Sequence, residues 1–159
     1  MSNGKIEAIW IKRFKRGPMD VVAQAELRRG KGLVDNADQG GRRQVTIIDA
    51  GVWEEVMAEL NADIDPSARR ANIMVRGVDL AHSRKRILQI GECQVKIFNE
   101  TKPCERMDEV LAGLQNSLYP NWRGGASGQV ITGGIIRVGE IARWEDETDQ
   151  TARLYPQIS

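Results

Sequence analysis

The stretch RILQIGECQVKIF, residues 86–98, decides the architecture. In its second half Cys93, Val95 and Ile97 fall on one face while Gln94 and Lys96 fall on the other, the period-two pattern of a half-buried antiparallel strand. The run 86–90 before it is a second β-type segment. Outward from this pair further short β-type segments stand at 6–11, 21–27, 44–48, 72–75, 129–131, 135–138 and 141–144, with Gly, Pro, Asp and Asn between the runs. Many short strands joined by frequent turns predict a mainly β chain, a barrel or a sandwich.

Two helices interrupt the strands. The first starts at Asp49, a good N-cap, and carries Val52, Val56, Met57 and Leu60 as one apolar stripe before Asn61 and Pro66 end the region. The second is expected over 104–114, with Met107, Val110, Leu111 and Leu114 as its buried face, Thr101 or Pro103 near its start and Gly113 loosening its last turn. From Glu145 onward the composition turns acidic and polar, so 145–159 reads as a tail on a core of about 5–144.

A length of 159 residues with 41% hydrophobic and 28% charged residues suits a single domain spanning the chain. The 23 basic and 22 acidic side chains leave a net charge of +1, which gives no support to a nucleic-acid coat. The charge is uneven: residues 1–104 hold 18 basic and 14 acidic side chains, and 105–159 hold 5 and 8. Arginine outnumbers lysine 16 to 7, which favours bidentate grip on phosphate or carboxylate. The basic run KRFKR at 12–16 and the tryptophans at 10, 53, 122 and 144 raise a nucleic-acid reading, but an aromatic content of 5% weakens it. No apolar stretch is long enough to cross a bilayer and the first residues lack the apolar block of a signal peptide, so the expected compartment is the cytoplasm and no membrane partner is expected.

Two cysteines are too few for a disulfide framework, and with His82 as the single histidine they match no zinc spacing. His82 reads as part of an exposed turn in AHSRKR, which leaves a Ser-His-Asp machine without a natural base. Cys93 points with Val95 and Ile97 into the core. Cys104, in KPCERM, is the candidate nucleophile or metal ligand, because a helix start and the cations Lys102 and Arg106 favour thiolate while Glu105, Asp108 and Glu109 oppose it. The pairs Arg28-Arg29, Arg42-Arg43 and Arg69-Arg70 and the run Arg84-Lys85-Arg86 stand at turns or strand starts, where guanidinium groups could gather at one rim around an anion. The glycines of RGGASG, TGG and VGE allow close backbone approach to a ligand, but none forms a Walker loop or a dinucleotide fingerprint.

The order of these pieces, RRQVTIID, a helix, RRANIMVRGVDL, RILQIGECQVKI, TKPCERM, a short helix and WRGGASGQVITGGIIRVGE, closely resembles the MOSC domain, named for the C-terminal domain of molybdenum cofactor sulfurase. The likeness runs over about 5–144 and implies a mainly β fold, a distorted closed barrel with a few short helices. It implies that Cys104, in the family's Pro-Cys motif, is the catalytic or metal-binding cysteine, as a molybdenum ligand or as a persulfide carrier. Arg70 and Asn72 match an Arg-x-Asn pattern that resembles the family's contacts to the pterin and its phosphate. Gly133 and Gly134 would let backbone approach the cofactor, and Arg42, Arg43 and Lys102 are further candidates for the same rim.

The resemblance further implies the molybdenum cofactor as ligand, no bound pyridoxal phosphate, and either a sulfur donor of the cysteine desulfurase type or an electron-donor protein as partner. Reduction of N-hydroxylated compounds is the activity such a protein could support. Many relatives carry Gly-Leu-x-Gly-Asp-x-His where this chain reads Gly32-Leu33-Val34-Asp35-Asn36-Ala37-Asp38, and Gly139-Glu140 stands where Gly-Asp is usual. That altered loop supports a second reading, a non-catalytic barrel that binds a small anionic ligand or a protein.

Overall fold

The computed structural model describes residues 4–145, so the expected tail lies outside the described residues apart from Glu145. Eleven strands and three α-helices follow one another as β1 (Gly4–Lys12), β2 (Met19–Val22), β3 (Gln24–Arg28), β4 (Gly32–Leu33), β5 (Val45–Asp49), α1 (Ala50–Glu59), β6 (Ile73–Arg76), β7 (Ile87–Ile90), β8 (Cys93–Glu100), α2 (Arg106–Val110), α3 (Leu114–Leu118), β9 (Ala126–Thr132), β10 (Gly134–Arg137) and β11 (Ile141–Trp144).

The run 86–98 forms the hairpin β7–β8, with Ile90 opposite Cys93 and Gly91 at φ +55 in its two-residue turn. Strands β11, β7, β8, β9, β5, β6 and β1 are hydrogen-bonded in that order, and β1 pairs with β11 to close them into a barrel, with β2 added on β1. Strands β10, β3 and β4 form a separate small sheet. The barrel interior is filled by the inward faces of these strands, including Ile6, Ile9, Ile47, Ile73, Leu88 and Ile97, each 1% exposed or less. The mainly β barrel expected from the sequence is therefore the fold. No helix among the described residues is long and apolar enough to cross a membrane.

β5 and β6 are parallel, so the chain must cross over between them, and α1 makes that crossing. Asp49 caps α1 as expected, its carboxylate accepting from the Gly51 amide at 2.9 Å. Trp53, Val56 and Met57 pack on Met107, Leu114 and Leu118 in a second core outside the barrel. All four tryptophans are buried, so none offers a face on which a base could stack.

Three expectations are corrected. The run 21–27 is two strands, because the chain turns out of the β1 pairing after Val22 and joins β10 from Gln24. In place of the helix expected over 104–114 there are two five-residue helices, α2 and α3, because Leu111 turns extended after α2 and Gly113 takes φ +89 just before α3. Val110 is 40% exposed as a result, while Met107 and Leu114 keep their buried places. The arginine pairs do not gather at one rim: Arg28 pairs with Glu26, Arg42 lies over the Phe98 ring, and Arg84 donates to Asn99. Only Arg69 and Arg70 reach the site described next.

Candidate functional site

The two cysteines have opposite environments. Cys93 is fully buried, and burial, helped by Glu92 and Glu140, pushes its thiol up to about 11. Cys104 is exposed, on the segment that links β8 to α2, and both cysteines are free. Alkylation of the native protein with iodoacetamide is therefore expected to modify Cys104 and spare Cys93 until the chain unfolds, a pattern read by peptide mass analysis. Modification of Cys93 at the same rate would contradict the buried placement.

The turn before β6 sets the rest of the site. Pro66–Arg69 form one 3-10 turn, capped at the start by Asp65, and Arg70 ends it in the left-handed region at φ +62. This reversal sends adjacent arginines in different directions. Arg69 turns inward, 9% exposed, and its Nη2 donates to the Thr101 carbonyl at 2.7 Å. Arg70 is exposed and its Nη2 donates to the Gly17 carbonyl at 2.6 Å. Burial pulls the Arg69 guanidinium below the ordinary arginine range, and attraction to Cys104 works against that shift.

Two cavities meet at Arg70. The larger, about 630 Å³, is lined by Lys12, Lys15, Arg16, Arg70 and Arg106, with Asp38 and Glu109 as its carboxylates. Five cations against two carboxylates make it a basin for anions. The smaller, about 110 Å³, lies between the β5 backbone and the Thr101 segment, with Arg69, Arg70, Thr101 and Gly124 in its wall. Cys104 sits between Thr101, which lines the smaller cavity, and Arg106, which lines the basin, and is itself in neither lining.

Asn72 builds the basin's wall from inside. Its Oδ1 accepts from the Thr46 amide at 3.1 Å and the Thr46 hydroxyl at 3.2 Å, and its Nδ2 donates to Asn36 Oδ1 at 3.2 Å and the Trp10 carbonyl at 3.4 Å. Asn36 Oδ1 also accepts from the Lys12 amide at 2.9 Å. Asn72 is 6% exposed with these bonds inside the fold, so it holds Lys12 and the 33–38 loop in place.

That loop is the one whose sequence departs from the expected pattern. Asp35 stands where a glycine is usual and adopts φ +71, a conformation that explains the glycine and that Asp tolerates better than most residues. Asp38 stands where a histidine is usual, and its carboxylate pairs with Lys12 Nζ at 2.7 Å inside the basin.

The structure brings Arg70, Asn72 and Cys104 to one region. Lys102 stands two residues from Cys104, but its ammonium lies 4.1 Å over the Tyr119 ring and 3.4 Å from Glu100. Arg43 is exposed on the approach to β5 and lines neither cavity. Gly133 and Gly134 are elsewhere. Ala126 starts β9 opposite Glu100, near the Cys104 segment, and Thr132 ends it opposite Gln94, roughly 20 Å further along the strand. Gly134 instead accommodates the Glu92 carboxylate. Lys12, Lys15 and Arg16 are basin residues that sequence reasoning missed, although the run KRFKR was the visible signal.

The MOSC domain model matches residues 34–143. The chain belongs to the MOSC family. Comparison with curated proteins gives no match. Among solved structures, the YUAD protein from Bacillus subtilis is similar with a TM-score of 0.73 and 16% identity, over 89% of this chain and 94% of that one. YiiM from Geobacillus stearothermophilus gives 0.70 and 15%, over 89% of this chain and 74% of that one. YiiM from Escherichia coli gives 0.69 and 12%, over 91% and 70%. At these identities the likeness supports the MOSC barrel as a fold and carries no activity across.

Proposed function

We propose that this MOSC protein holds the molybdenum cofactor over the basin, with Cys104 as metal ligand, Arg70 against the anionic end and Asn72 as the strut that keeps the basin open. The observation that carries the reading is an exposed thiol two residues from Arg106, which with Arg70 lines a five-cation basin. The donor set fits the group: a thiolate is a soft ligand suited to such a metal, and guanidinium and ammonium groups suit a phosphate. When bound, the group would supply two-electron chemistry of the kind that reduces N-hydroxylated compounds, given an electron-donor protein. The chain's own residues bind and orient: Arg70 is held by the Gly17 carbonyl, Lys12 by Asp38, and Arg106 projects from the first turn of α2. Two free cysteines suit a reducing cytoplasm.

A second reading, the sulfur carrier, draws on the placement of Cys104 outside both cavities, where a partner protein can reach its sulfur. In that role the cysteine cycles between thiol and persulfide. The experiment that tests the cofactor reading is the molybdenum content of protein made in a cofactor-producing host, compared with Arg70→Gln. The variant is expected to retain roughly a tenth of the wild-type molybdenum or less. Equal retention would remove Arg70 from the cofactor's grip, and metal absent from both would leave the carrier or the non-catalytic binding module.

A further inference from the structure

We propose that the small cavity behind Thr101 is a binding site for a free inorganic oxyanion of the sulfate or phosphate class, held by Arg69 and Thr101 and separate from the basin. Arg69 is 9% exposed and forms no ion pair with a carboxylate among the described residues. Its Nη2 is fixed on the Thr101 carbonyl at 2.7 Å, while its Nε is buried with no acceptor. The Thr101 hydroxyl is buried beside it, also without a partner. A cation removed from water with no carboxylate paired to it and without a full set of acceptors is costly, so this arrangement points to an anion that completes it.

The cavity's size sets the class of that anion. At about 110 Å³ it has room for a small inorganic ion and none for a fused-ring ligand, unlike the 630 Å³ basin next to it. Its other wall is the β5 run Thr46, Ile47 and Ile48 with Ala71, so Arg69 and Arg70 are the charged groups in its lining. Gly124 closes the site. A Cβ there would stand 2.2 Å from the Thr101 carbonyl oxygen and 3.0 Å from Arg69 Nη2, so glycine is what allows the guanidinium and the Thr101 segment to lie this close. An oxyanion entering the cavity accepts from the Arg69 guanidinium and from the Thr101 hydroxyl, which satisfies both orphan donors at once. The assignment does not depend on molybdenum.

Equilibrium dialysis of the full chain against labelled sulfate in a chloride buffer, repeated with inorganic phosphate, tests it. One saturable site is expected, weakened roughly tenfold or more by Arg69→Gln and severalfold by Thr101→Val. Thr101→Val removes only the hydroxyl, so it keeps the test decisive if Arg69→Gln does not fold. The absence of saturable binding of either ion would overturn the proposal. So would binding that survives both variants, or binding lost in Lys15→Ala but kept in Arg69→Gln, which would put the ion in the basin. Phenyl phosphate separates the sources: Arg69-dependent binding of this monoester as tight as that of free phosphate would make the cavity the end of a larger ligand's site and overturn the free-ion assignment.

Discussion

Cys104→Ser is expected to take the protein from about one molybdenum per chain to almost none while leaving its stability within about 0.5 kcal/mol of wild type. The two halves of that expectation have separate causes. Cys104 is exposed and buries no surface in the barrel or the helical core, so a near-isosteric serine costs the fold little. A serine hydroxyl, however, is hard and remains protonated at neutral pH, so it cannot replace a thiolate on a soft metal or carry sulfane sulfur. Metal analysis together with a urea melt reads both halves. Molybdenum retained in a folded Cys104→Ser protein would show that the basin alone holds the cofactor.

Asn72→Ala is expected to be the most damaging single substitution at the site, at about 3 kcal/mol, because it leaves the Thr46 amide without its acceptor, takes one of two donors from the Asn36 oxygen and opens a gap inside the fold. For a chain of this size that corresponds to a fall in Tm of roughly 6–12 °C. The same substitution loosens the link through Asn36 to the Lys12 amide, so anion binding at the basin falls with stability. A urea denaturation midpoint within error of wild type would show that Asn72 does not hold the wall, and would return it to the role of a ligand contact.

The barrel was legible because β8 alternates and short β-type runs recur between turn residues, and Asp49 announced α1 through the chemistry of an N-cap. The break at Ala23 was not, since 21–27 contains no turn-forming residue and only the competing pairings with β1 and β10 divide it. The site was legible in its parts and not in its assembly. Cys104 and the Arg70-Ala-Asn72 pattern stand out as residue types, but whether Asn72 turns its amide to a ligand or into the fold depends on Thr46 and Asn36, 26 and 36 residues away. The divergence of Arg69 from Arg70 hangs on one left-handed residue with no glycine to signal it. KRFKR looked like a nucleic-acid feature because sequence alone cannot show that Lys12, Lys15 and Arg16 curl round a concave basin instead of a flat surface. Gly133 and Gly134 were placed at the pocket on composition, and the direction of β9 carries them to its far end.

Cofactor binding is tested most directly by molybdenum analysis of the wild-type chain from a cofactor-making host, paired with intact mass before and after reductant. About one molybdenum per chain is expected, with no reductant-labile mass on Cys104. A mass increment of about one sulfur atom, removed by reductant and unaccompanied by metal, would contradict cofactor binding and make Cys104 a sulfur carrier.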